Sequence, residues 1–135
     1  MVVPPSDTSP EDQMLPYLFV FAVLVFTVYG QLMIKARAIV HAVPASEGSA
    51  KLQYLFAMFT DISVLSGFAA AVLAAACWML AIEKLPVGYA YPFMALSFVL
   101  VPIGSMVLFG ERVPPTQLLG LGLIVAGVTV SALVR

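Results

Sequence analysis

Four long apolar runs separated by short polar corners set the pattern of this chain. They extend over residues 15–34, 62–82, 88–109 and 116–134, and none contains Asp, Glu, Lys, Arg or His. Each is close to the roughly 20 residues that a helix needs to cross a hydrocarbon core of about 30 Å. A chain in hydrocarbon must satisfy its own backbone groups, so each run is predicted to be a helix. The expected fold class is an all-α integral membrane protein with four transmembrane helices, forming one domain over residues 15–135. Lys35 and Arg37 are expected to close the first span at a membrane surface. Glu83-Lys84 forms the second corner, and Gly110-Glu111-Arg112-Val113-Pro114-Pro115 the third.

Two segments fall outside this pattern. Residues 1–14 are polar and acidic and hold no Lys or Arg, so they read as a disordered tail that stays on the mature protein. Residues 38–60 form the longer connection. Pro44, Ser46, Glu47, Gly48 and Ser49 mark a loop. Residues 53–60 (QYLFAMFT) are apolar and aromatic but too short to span. They read as an interfacial helix or as an early start of the second span. His41 lies outside the spans and is expected at the surface. Asp61 precedes the second span, where a carboxylate suits a helix N-terminus.

Composition narrows the function. Hydrophobic residues make up 62% of the 135 and charged residues 10%, against about 25% charged in a soluble domain. The formal net charge of −1 gives no basic patch for nucleic acid. The chain has one cysteine and one histidine, which removes an internal disulfide, a thiolate cluster and a histidine ligand triad. No span carries a nucleophile-base pair, so no catalytic residue, metal or cofactor is expected and the chain is not read as an enzyme.

Polar residues inside the spans are the candidate chemistry. Thr27 and Gln31 lie four apart on one helical face of the first span. An amide in hydrocarbon is costly unless paired, so that face points inward, as a site or as interhelical glue. The stretch Pro86 to Ser97 is the densest: two prolines, two tyrosines, a glycine and a serine in an apolar setting. Pro92 removes a backbone donor and frees a carbonyl, which hydrocarbon tolerates only beside protein or a cavity. The other reading of Tyr89 and Tyr91 is an interfacial aromatic belt. With Pro102 also inside it, the third span is the one expected to bend. Trp78 reads as a belt residue, and Glu111-Arg112 as a solvated charged turn. In the fourth span, Gly120, Gly122 and Gly127 lie among small residues spaced for close helix packing.

Four basic residues (Lys35, Arg37, Lys51, Arg112) fall on one side of the membrane and two (Lys84, Arg135) on the other. The positive-inside rule then places both termini outside the cytoplasm, by a small margin. Four helices are too few to enclose a polar pathway, and many transporters set their site between inverted repeats. An antiparallel dimer is therefore expected.

These residues resemble the four-helix branch of the drug/metabolite transporter superfamily (EamA/small multidrug resistance-like), over residues 16–135. Two groups within it are similar. The first is the small multidrug resistance exporters, proton antiporters that work as antiparallel dimers. Pro16-Tyr17, Gly30 with Lys35, Ala90-Tyr91, Phe109-Gly110-Glu111-Arg112 and the glycine-spaced run 120–127 carry that likeness. Aligned on Gly30 and Lys35, the exporters' membrane glutamate falls on Thr27, and their binding-site tryptophan on Met94. Thr27 cannot titrate, so the likeness does not extend to a proton/drug antiport mechanism in a homodimer. The second group is the paired aminoarabinose-phosphoundecaprenol flippase subunits, ArnE and ArnF. It is the closer match, through Gly30-Gln31-Leu32 with Lys35, Leu85-Pro86-Val87-Gly88, and Ala90-Tyr91-Pro92 followed by Leu96, Phe98 and Val99.

That resemblance implies a multi-pass protein of the bacterial inner membrane, flipping a polyprenyl-phosphate-linked sugar as a homodimer or with a similar four-helix subunit. Membrane lipid is its other partner. The substrate-binding set is then Thr27, Gln31, Tyr91, Pro92, Met94 and Ser97. Lys35 and Lys84 attract the head group at the surfaces, and Gly120, Gly122 and Gly127 pack the dimer. Two other readings stand beside it: an exporter subunit whose partner supplies the acid, and a non-transporting accessory subunit of a membrane complex.

Overall fold

The computed structural model describes residues 10–42 and 48–133. Six helices follow one another: α1 (Pro10–Val40), α2 (Gly48–Thr60), α3 (Ile62–Lys84), α4 (Val87–Met94), α5 (Ser97–Phe109) and α6 (Pro115–Leu133). Four stretches are long and apolar enough to span: Met14–Val40, Ile62–Lys84, Val87–Phe109 and Pro115–Leu133. The protein is a multi-pass membrane protein. The third span is α4 and α5 in series.

α1 starts at Pro10, inside the segment that the sequence reads as a tail, and residues 1–9 lie outside the described residues. It also runs past Lys35 and Arg37 to Val40. Hydropathy marks where lipid ends, not where a helix ends, and Ala36 and Ala38 are strong helix formers. α2 is a separate helix and not the start of the second span. Asp61, with extended backbone (φ −74°, ψ 122°), divides it from α3.

The packing centre is the α1–α3 pair. A β-carbon on Gly30 would lie 3.1 Å from the Gly67 carbonyl oxygen, and one on Gly67 3.3 Å from the Gly30 oxygen. Two glycines therefore let these backbones touch. Val20, Val23, Leu24, Val64, Ala70 and Ala74 are buried along the same seam. Tyr29 ties the pair together through its hydroxyl, 3.0 Å from Ser66 Oγ, while Ser66 donates its own proton to the Ser63 carbonyl. α5 and α6 are more open. Only 6% of the third span's most apolar stretch is buried inside the chain, so lipid or another subunit must cover the rest.

The third span breaks at Ala95-Leu96. The amides of Ala95 and Leu96 bond three residues back, to the Pro92 and Phe93 carbonyls, at 3.1 Å each. This 3₁₀-type tightening follows Pro92, which has no amide to donate. Ser97 Oγ donates to the Met94 carbonyl at 2.7 Å and so satisfies an acceptor at the break. Pro102, by contrast, sits inside α5 without interrupting it.

Charge gathers at one end of the bundle. Asp61 caps α3 by accepting from the Ser63 amide at 2.8 Å, and faces Arg37 Nε at 3.4 Å and His41 Nε2 at 3.0 Å. His41 is thus half-buried and partnered. The His41 hydrogen bond first, then the Ser63 amide and the Arg37 charge, lowers the Asp61 carboxyl from 3.8 to about 2. A lowered carboxylate stabilises the fold above its unfolded pKa, and that contribution is lost as pH falls through the folded one. In detergent, wild type is expected to melt above Asp61→Asn at about pH 5. The gap should close as pH falls from 3.8 to about 2. A gap that persists at the low end would show that the cap does not act through its charge.

Candidate functional site

Among the described residues, α1 turns its polar side chains Thr27 and Gln31 to two different cavities, one helical turn apart. The first, about 290 Å³, sits between α1, α3 and α4. Val23 and Thr27 from α1, Ala74, Ala75 and Trp78 from α3, and Tyr91 and Met94 from α4 line it. α3 contributes small residues there, which leaves the space open. The Trp78 and Tyr91 rings meet edge to face, with centroids 5.6 Å apart at 81°. Tyr91 is 62% exposed, so the cavity opens at its side. Tyr89 stacks edge-on against Tyr17 at 6.4 Å and Phe93 at 5.5 Å, which braces α4 against α1. The surface is an apolar and aromatic pocket with one hydroxyl from Thr27 and one phenol.

The second cavity, about 320 Å³, lies between α1, α5 and the corner leading into α6. Gln31 and Lys35 line it with Ser105, Glu111, Arg112 and Gln117. Lys35 Nζ stands 2.7 Å from Glu111 Oε1, and Ser105, a buried residue, donates its hydroxyl to the other carboxylate oxygen. Glu111 is therefore not merely a solvated turn residue. Gly110, at φ 65°, reverses the chain so that the next side chain can return to the bundle. The Lys35 hydrogen bond, then that of Ser105, holds the Glu111 carboxyl below its usual range.

The structure brings Thr27, Tyr91 and Met94 together and places Gln31 with Lys35 in the neighbouring cavity. Pro92 lines neither of these two cavities, and the Ser97 hydroxyl is engaged by its own backbone. Lys84 is exposed in the last turn of α3, at the bundle end opposite Lys35. Gly120, Gly122 and Gly127 are exposed on α6 or beside its buried Leu121, and a β-carbon on any of them would meet nothing within 4 Å. Trp78, which the sequence reads as a belt residue, belongs to the pocket instead. Where the exporters carry a tryptophan this chain has Met94, yet an indole from α3 still lines the space. Among the described residues, no three His, Cys, Asp or Glu side chains come together.

Residues 14–133 match the EamA-like transporter family along nearly the whole chain. The chain belongs to that family. It is a membrane transporter by family, and four of its stretches are long and apolar enough to span a membrane. Curated relatives include proteins called probable 4-amino-4-deoxy-L-arabinose-phosphoundecaprenol flippase subunit ArnE, from Salmonella paratyphi B, Salmonella newport and Salmonella typhimurium. Each is 42% identical over 53 residues, which is 39% of this chain and 48% of the relative. The match thus spans about half the length of these relatives. No solved structure matches the chain.

Proposed function

We propose that this protein is a transporter subunit that flips a polyprenyl-phosphate-linked sugar, of the aminoarabinose type, across the bacterial inner membrane. The observation that carries the reading is the side-opening cavity of Thr27, Trp78, Tyr91 and Met94. A lipid-linked sugar has a tail that can stay in hydrocarbon and a head that cannot. A cavity open to the side lets the head enter while the tail remains outside. Aromatic faces suit the apolar face of a sugar ring, and the Thr27 and Tyr91 hydroxyls suit its polar edge. Gln31 lies one turn further along the path of the head. The part-length likeness to the flippase subunits supports the same cargo.

A single chain lines this path on one side only. The glycine face of α6 is open for a similar subunit, the same chain or a relative, packed antiparallel to this one. Lys84 at one end and Lys35 at the other would draw the phosphate toward the entrances.

The test is flipping of undecaprenyl-phosphate-linked aminoarabinose in proteoliposomes. Tyr91→Ala and Thr27→Val should each slow it by about fivefold to tenfold, the size of a lost ring contact or hydrogen bond. Protein level and elution profile should not change. Normal flipping in both variants would sink the cavity reading.

A further inference from the structure

We propose that the second cavity is a phosphate site in which the anion takes Lys35 away from Glu111. This rests on the phosphate-linked cargo proposed above and adds where that phosphate is held. Three observations lead to it. The cavity holds two cations, Lys35 and Arg112, against one carboxylate, Glu111, which leaves an excess of one positive charge. Lys35 is paired with Glu111 at 2.7 Å, whereas Arg112 has no ion pair among the described residues. The remaining polar lining is Gln31, Ser105 and Gln117, whose amides and hydroxyl can donate to phosphate oxygens.

The chemistry of the pair suits exchange and not permanent bracing. Both side chains are near half exposed, at 46% and 41%, so neither is locked in place by burial. A half-exposed ion pair contributes little to stability. The phosphate of the proposed cargo is a diester with two free oxygens and one negative charge, like a carboxylate, so it can take the place of Glu111 on Lys35. Arginine meets it with a planar fork and lysine with a point charge, the usual pair of phosphate binders. When phosphate occupies the cavity, Glu111 must give up both Lys35 and the Ser105 hydroxyl, which frees that hydroxyl for the anion, and turn toward solvent, which its exposure allows. The carboxylate then works as a resident competitor: it holds Lys35 ready and keeps the site from retaining an anion too tightly to release it.

The ligand class is a phosphate group, whether on a lipid or free in solution. The test uses the full chain in nanodiscs and measures binding of three probes: undecaprenyl phosphate, undecaprenol and inorganic phosphate. Glu111→Gln removes the competitor, so undecaprenyl phosphate should bind about tenfold more tightly. Lys35→Ala and Arg112→Ala should each weaken it by about tenfold or more, and Lys35→Arg should retain most of the affinity. Because Arg112 supports no other described ion pair, Arg112→Ala keeps the test decisive should Glu111→Gln fail to fold. If inorganic phosphate displaces the lipid at similar concentration, the site reads phosphate alone. If it does not, the site reads the lipid head group, and either result supports a phosphate site. Undecaprenyl phosphate that binds well but equally to wild type, Glu111→Gln and Arg112→Ala would overturn the site and leave the flippase reading standing. No preference for undecaprenyl phosphate over undecaprenol in any form would overturn both.

Discussion

Gly67→Leu is expected to leave almost no folded protein in the membrane. The Gly67 backbone is the surface on which α1 crosses α3, and the atom opposite is the Gly30 carbonyl oxygen, not a side chain that can swing away. A β-carbon alone would need the helices to part by a few tenths of an ångström. A leucine would need them to part by far more, and Val64, Ala70 and Val23 along the seam would lose their contacts together. Overpacking typically costs about 1–3 kcal/mol, and more where backbone faces backbone. Against a total stability of roughly 5–15 kcal/mol, losing the main helix pair is decisive. Gly67→Ala is the milder control and should fold with a lowered melting temperature. Gly104→Ala should be milder still, because its nearest neighbour is the end of the Leu32 side chain. A Gly67→Leu protein that melts like wild type would show that the α1–α3 crossing is not the packing centre.

The second large effect concerns α6 and is opposite in kind. Gly120→Leu and Gly127→Leu are expected to leave the chain folded and strongly weaken its association with a second subunit. A β-carbon placed at either position has no neighbouring atom within 4 Å, so an added side chain meets nothing inside the chain. In a tight helix pair the same side chain stands where a neighbouring backbone must come. Separating the pair should weaken association by about a hundredfold, from a loss near 3 kcal/mol. Cross-linking or single-molecule photobleaching in nanodiscs would read this directly, with the melting curve at high dilution as the control for folding. Association unchanged in both variants would remove the glycine face from any interface and turn attention to α5.

The hydropathy of the chain makes its four spans legible, because charge-free runs of this length have few other uses. The corner residues are legible too, since Asp61 caps α3 and Gly110 ends α5. The length of α1 is not, because a helix can outlast the membrane. In the site, Thr27, Tyr91 and Met94 stand out in the sequence and share one cavity. Trp78 does not, because a tryptophan near the end of a span suits a belt as well as a pocket, and only the neighbouring alanines and α4 decide between them. The Lys35–Glu111 pair is hidden for another reason: its partners lie on different elements, and nothing local to either residue announces the other. Gln31 groups with Thr27 by spacing, yet one helical turn is enough to carry it into the next cavity.

The break at Ala95-Leu96 decides what kind of rod the third span is. Its bonds are short-range, three residues back along the chain, and the Ser97 hydroxyl serves the same turn. α4 rests on α1, α3 and α6, and α5 on α1 and α6, so the two pieces share α1 and α6. Ala95 (φ −62°, ψ −20°) and Leu96 (φ −61°, ψ −26°) both keep right-handed helical backbone, so the two rods follow one another through a single tight turn. The third span thus changes its winding part-way across the bilayer and does not cross as one uniform helix.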